Sequence, residues 1–416
     1  MQTLIRAARI IDPSSPFDGQ IKDILIENHQ IIAIGKGLMS ANATVFESKN
    51  LHVSAGWVDM RVSASDPGHE HKEDLTSVCK AAEAGGFTEI AILPNTTPAL
   101  DSKDTVGYVQ RASKHKAVKV HAIAAVTKNC EGKDFTEMID LTHAGAVGFS
   151  DGQFPIQNTH ILLKSLQYLQ PLDRVLMNRP EDAQLTVYGQ MNEGIVSTTL
   201  GMRGLPAIAE HLAIMRDLKL LEYVDAKTTR PLLHFSTIST AESVRLIREA
   251  KQKGLAVSCD VAAHQLAFDD SVLTDFDTNY KVNPPFRSQA DITALWEGLA
   301  DGTIDVVVSD HLPQDEESKN LEFDMAEFGI IGLETVFALL ITHNKTLNLH
   351  QIIEKLTTKP RQILRLGEVS IQEGNVANLT LFDPDQTWTY SKTLSKSKNS
   401  PFLGKEFSGK VIGTVV

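Results

Sequence analysis

Several short apolar runs in this chain end in residues that could do chemistry. They are Arg61 and Ser63, Asn95, Asp151, Arg179, His234, and Asp310 with His311. Carboxylates and imidazoles are metal ligands and proton carriers. Arginines are different: a guanidinium stays protonated and has no lone pair to donate, so it can only balance negative charge. A separate pair, His69 and His71, has the one-residue spacing of metal ligands, but it follows Pro67-Gly68 and reads as a solvated loop. Any single polar residue at the end of a run can be explained by wet loops. The set is harder to explain that way.

A fold must bring these run ends together. The apolar runs are Trp57–Val62, Glu89–Leu93, Val118–Ala125, Ala146–Phe149, Arg174–Met177, Pro231–Phe235, Ala256–Cys259 and Asp305–Val308. Stretches with helical periodicity separate most of them, including Leu75–Ala84, Ala207–Leu221, Ser239–Lys253 and Leu349–Leu356. Alternation of this kind implies a parallel sheet. Eight units over residues 55–364 fit an α/β protein of the (β/α)8 barrel type, whose active residues gather at the C-terminal ends of the strands. A doubly wound open sheet is the competing architecture, but no glycine-rich phosphate fingerprint follows the first run. Residues 1–54 and 365–416 read differently, as short strands of alternating polarity such as DILIENHQIIAIG and NVANLTLFDP.

Composition narrows the partners. The 416 residues are 42% hydrophobic and 22% charged, as in ordinary globular chains. A net charge of −12 argues against nucleic acid and against an anionic membrane surface. Three scattered cysteines, Cys79, Cys130 and Cys259, fit a reducing compartment, and no signal peptide or membrane span is evident. A cytoplasmic location is expected.

Specific strings then point to a family. GWVDMRVSASDPGHEHKED, LPNTTPALDS, GFSDGQFP, NRPED, LLHFST, KVNPPFR, VVVSDHLP and FGIIGLET occur in that order. With the closing SKSKNSPFLGKEFSGKV, they resemble the signatures of dihydroorotases, within the amidohydrolase superfamily. They favour that branch over allantoinases and dihydropyrimidinases. The resemblance spans almost the whole chain. It implies a barrel with a small β-sandwich domain built from both termini, and a zinc site at the barrel mouth.

The resemblance also shows what is missing. The family's first strand carries a His-x-His zinc pair, and this chain has Arg61 and Ser63 there. A third ligand histidine corresponds to Arg179. The bridging acid is kept as Asp151, a fourth ligand as His234, and the ligand and general base as Asp310. Among substrate contacts Asn95 and Asn283 remain, while Ser65 replaces an arginine. Zinc lowers the pKa of bound water from about 15.7 to about 7, and that shift supplies the family's nucleophile. The expectation is no metal cofactor, or at most one weak mononuclear zinc site at Asp151, His234 and Asp310. Arg61 and Arg179 are expected to replace the zinc charges by pairing with Asp151 and Asp310, because buried carboxylates without counter-charges are costly.

By resemblance, the leading expectation is a non-catalytic protein that partners aspartate transcarbamoylase, itself a homo-oligomer. The alternatives are an active dihydroorotase with a degenerate site, and a hydrolase of another cyclic amide.

Overall fold

The computed structural model describes residues 2–226 and 228–416. Every apolar run overlaps a strand of one parallel sheet. In chain order these strands are Trp57–Val62, Phe87–Ile92, Lys119–Ala124, Gly148–Phe149, Val175–Asn178, Leu233–Phe235, Val257–Ala262 and Val306–Val308. Each pairs with the next in sequence, and a parallel bridge from Val62 to His311 joins the last to the first. The sheet therefore closes into a (β/α)8 barrel.

Packing follows from that closure. Val58, Met60, Ile123, Val175, Met177, Val306 and Val308 form one buried apolar cluster, although they come from strands that do not all adjoin. Such contacts exist only inside a barrel. Ile363 and Leu364 complete this cluster. The opposite strand faces pack under helices, in a larger core that includes Trp57, Phe87, Phe337 and Phe382.

The helices Leu75–Ala84 and Leu349–Leu356 have the bounds their periodicity predicts. The first begins where Asp74 accepts hydrogen bonds from the amides of Thr76 and Ser77, both at 2.8 Å. Ala207–Val224 runs three residues beyond its expected end, and Ala241–Gln252 lies within its expected bounds. The helices Lys103–Ser113, Thr159–Leu169 and Gln289–Ala300 were not expected individually.

Strands from both ends of the chain share a seven-stranded sheet. Leu379–Thr389 pairs antiparallel with His52–Ala55, the strand that leads directly into the barrel. The two ends are thus joined at the barrel's N-terminal side. Among the described residues, no helix is long and apolar enough to cross a membrane.

A buried charged network secures this junction. Arg361 donates to Glu89 Oε1 at 2.8 Å and to the Gly56 carbonyl at 3.1 Å. Glu89 Oε2 meets His121 Nε2 at 2.6 Å, and Asn378 donates to Oε1 at 3.1 Å. Burial pushes the Glu89 pKa up, but His121 and Arg361 outweigh it and bring it down to about 2. Replacing Arg361 by Met leaves this carboxylate short of its main cation. The expected loss is about 3 kcal/mol in urea unfolding, as for other broken buried pairs. Glu89→Gln combined with Arg361→Met is expected to cost less than the two single changes summed.

Candidate functional site at the barrel mouth

The first barrel strand is irregular where the site begins. Against the second strand, Asp59 pairs with Ile90 and Val62 with Ile92, so one extra residue lies between. A bulge of this kind re-aims side chains. Here Arg61 is fully buried, and its Nε donates to Asp310 Oδ1 at 2.7 Å. Arg61 Nη2 lies 3.5 Å from Gln153 Oε1, and Gln153 Nε2 lies 3.5 Å from Ser63 Oγ. Arg61 Nη1 is buried with no partner among the described residues. Behind the pair, Asp59 accepts from the amides of Arg61 and Ser309, both at 2.9 Å, and so ties the first strand to the eighth. Burial raises the Asp59 pKa to about 6 despite these bonds.

The second expected pairing does not form. Asp151 accepts from the Val126 amide at 3.0 Å, the Thr127 amide at 2.9 Å and Thr127 Oγ1 at 2.6 Å. These donors from the end of the third strand engage both carboxylate oxygens. Burial raises the Asp151 pKa, and the same donors oppose the rise. Arg179 turns instead to Glu181, and its Nη1 donates to the Gln153 carbonyl at 2.9 Å. Arg179 therefore pairs with Glu181, two residues away, and not with Asp151, whose two oxygens are engaged by Val126 and Thr127.

Asn95 holds the Asp151 loop in place. It donates to the Asp151 carbonyl at 3.0 Å and accepts from the Gln153 amide at 2.8 Å. Between them Gly152 has φ +65°, and a Cβ there would come within 1.8 Å of Asn95 Oδ1. Only glycine fits that close approach.

His234 is fully buried and engaged at both ring nitrogens, with Asp260 Oδ2 and Ser258 Oγ each at 2.8 Å. Asn283 donates to Glu181 at 3.3 Å. Ser65 sits in the left-handed region at φ +58°, as do Thr237 at +55° and Asp310 at +46°. Three strand-end segments at the mouth thus hold conformations that non-glycine residues rarely adopt, a feature that clusters at binding and catalytic sites. His69 and His71 are exposed. His69 meets Thr97, and His71 lies 3.4 Å from Asp315.

The family's zinc does not fit these residues. Arg61 cannot ligate, and it already engages Asp310. Asp151 and His234 are each committed to other partners. Among the described residues, no group of three or more His, Cys, Asp or Glu side chains is arranged to hold a metal ion. A cavity lined by Arg179, Glu181, Thr237 and Asn283 measures about 20 Å³, close to the room one water needs. Wider clefts lie elsewhere, one of about 570 Å³ beside His71 and Lys396, and one of about 660 Å³ beside Arg230 and Arg365.

Comparison with known proteins agrees with this architecture. Solved structures with the same fold include an L-hydantoinase from Arthrobacter aurescens, at a TM-score of 0.84 and 24% identity, covering 100% of this chain and 95% of that one. A dihydropyrimidinase from Brevibacillus agri superposes at 0.81 with 22% identity, over 100% and 93% of the two chains. These likenesses show a shared (β/α)8 barrel fold. The Dihydro-orotase-like family matches residues 51–243. Proteins named dihydroorotase from Trichlorobacter lovleyi and Geobacter metallireducens are each 40% identical over 422 residues, covering 100% of this chain and 98% of theirs. This chain belongs to the dihydroorotase family.

Sequence reasoning missed four residues that shape the mouth: Gln153, Glu181, Asp260 and His264. Glu181 sits inside the NRPED string, but nothing in the string shows that it turns back onto Arg179. His264 is buried edge-on to Phe286, with ring centroids 5.7 Å apart, and its Nε2 has no partner among the described residues. Burial lowers its pKa from the ordinary 6.5 to about 4, against the opposing charge of Asp310.

Two expected outcomes follow from this geometry. Arg61→Ala leaves Asp310 without its cation and is expected to cost about 3 kcal/mol in chemical denaturation. His264 gives stability a defined pH dependence. The unfolded imidazole takes up a proton below about 6.5, while the folded one stays neutral down to about 4. Its contribution is complete above pH 6.5 and is lost as pH falls through that window, by about 3 kcal/mol at most. Unfolding curves of wild type and His264→Gln between pH 4 and 7 are expected to show a shallower slope in the variant.

Proposed function

We propose that this chain is a non-catalytic member of the dihydroorotase family, a cytoplasmic, homo-oligomeric structural or regulatory partner of aspartate transcarbamoylase in pyrimidine biosynthesis. One observation carries the catalytic half of this reading: the Arg61 guanidinium is fully buried against Asp310, the residue that serves as metal ligand and general base in the family. A cation held there leaves the carboxylate no metal-bound water to deprotonate. Uncharged Ser63 and the self-paired Arg179 support the same reading.

A second reading has its own support. The full-length relatives at 40% identity are named dihydroorotase, and Asp151, His234, Asp310, Asn95 and Asn283 are all kept. On that reading the chain interconverts N-carbamoyl-L-aspartate and L-dihydroorotate.

Metal analysis and a ring-opening assay separate the two. The purified protein is expected to contain well under one zinc per chain and to leave L-dihydroorotate unchanged. Stoichiometric zinc with turnover favours the enzyme. Arg61→His, Ser63→His and Arg179→His together are expected to bring back zinc. Activity is expected to need Ser65→Arg as well, because orienting the substrate carboxylate is separate from activating water. Co-purification of aspartate transcarbamoylase from the native host tests the partner half.

A further inference from the structure

Glu181 reaches three hydrogen-bond donors, two on its own segment after the fifth strand and one on the segment after the seventh. Its Oε2 meets Arg179, at the end of the fifth barrel strand, and Asn283, which follows the seventh strand, at 3.3 Å. Its Oε1 accepts from Thr186 Oγ1, on the long excursion after the fifth strand, at 2.5 Å. Side chains of Arg179 and Glu181 are only 9% and 13% exposed. The adjoining cavity of about 20 Å³ shows how fully the carboxylate fills the space.

We propose that Arg179, Asn283 and Thr186 form a carboxylate-binding subsite, which the protein occupies with its own Glu181. A guanidinium presents paired donors and a fixed charge, the geometry that recognises a carboxylate. An amide and a hydroxyl complete the ring of donors around it. Burial pushes the Glu181 pKa up, but the Arg179 charge and the three donors outweigh it, so the group is held ionised below the ordinary glutamate value. The ligand class is a small carboxylate, bound wherever Glu181 is absent or withdrawn. The proposal deepens the non-catalytic reading, since an internal carboxylate at the mouth also obstructs any outside ligand. The contacts themselves do not depend on catalytic status.

Chemical rescue tests the subsite. Full-length Glu181→Ala is melted in increasing sodium formate or acetate, with sodium chloride and formamide as controls. The variant is expected to melt below wild type and to regain about 2 °C or more, saturably, with formate but with neither control. Arg179→Met combined with Glu181→Ala is expected to gain no more than wild type, because the cation is gone. An equal response in wild type, single and double variants overturns the proposal. Where Glu181→Ala does not accumulate folded, refolding from urea reads the same question. Formate-dependent recovery supports the subsite, and equal recovery in formate and chloride overturns it. Zinc content and ring opening by wild type are read separately. A formate response beside an active wild type keeps the subsite and removes the non-catalytic reading.

Discussion

Charge at the barrel mouth has to be balanced without help from water. Asp310 closes the eighth strand beside a fully buried Arg61, at 2.7 Å. An unpaired carboxylate in that position is costly, and so is an unpaired guanidinium. The two hold each other in place. Around them, Asp59 ties the first strand to the eighth, and Gln153 reaches toward both Arg61 and Ser63.

This balance changes the geometry of the mouth. A metal site needs ligands that converge on one point, with lone pairs aimed inward. Here the polar groups are satisfied in separate local sets. Arg61 goes to Asp310, Arg179 to Glu181, His234 to Asp260 and Ser258, and Asp151 to the donors of Val126 and Thr127. Apart from Arg61 Nη1, each set satisfies its own members, so little draws the groups toward a shared centre. The left-handed conformations of Ser65, Thr237 and Asp310 persist nonetheless, because the strands and loops that impose them are intact.

The stability of the scaffold lies largely away from the mouth. The barrel interior and the outer helices bury apolar side chains from every part of the chain. At the opposite end, Arg361, Glu89 and His121 join the barrel to the sheet made from both termini. Barrels of this kind separate a stabilising N-terminal end from a chemically variable C-terminal end. Polar substitutions at the one end are therefore remote from the packing that holds the other.

Local pattern in the sequence determined the barrel. Eight apolar runs, separated by helical periodicity, give eight strands, since a strand buried on both faces must be apolar along its length and that signal is local. The same pattern placed Arg61, Ser63, Asn95, Asp151, Arg179, His234 and Asp310 at strand ends, and the family resemblance marked Arg61, Ser63 and Arg179 as expected departures from its ligand set. Only the tertiary structure decided who pairs with whom. Arg179 goes to Glu181 and Asp151 to the third strand, because a pairing depends on distances between segments far apart in sequence. The extra residue between Asp59 and Val62 was equally hidden, as a bulge is a property of two strands in register, not of one. Among the unexpected helices, Lys103–Ser113 carries few buried residues, only Val106, Val109 and Ser113, so its hydrophobic signal is faint; Thr159–Leu169 and Gln289–Ala300 bury more of theirs. Sequence reports what a residue can do; the surrounding fold determines which of its possible partners lies within reach.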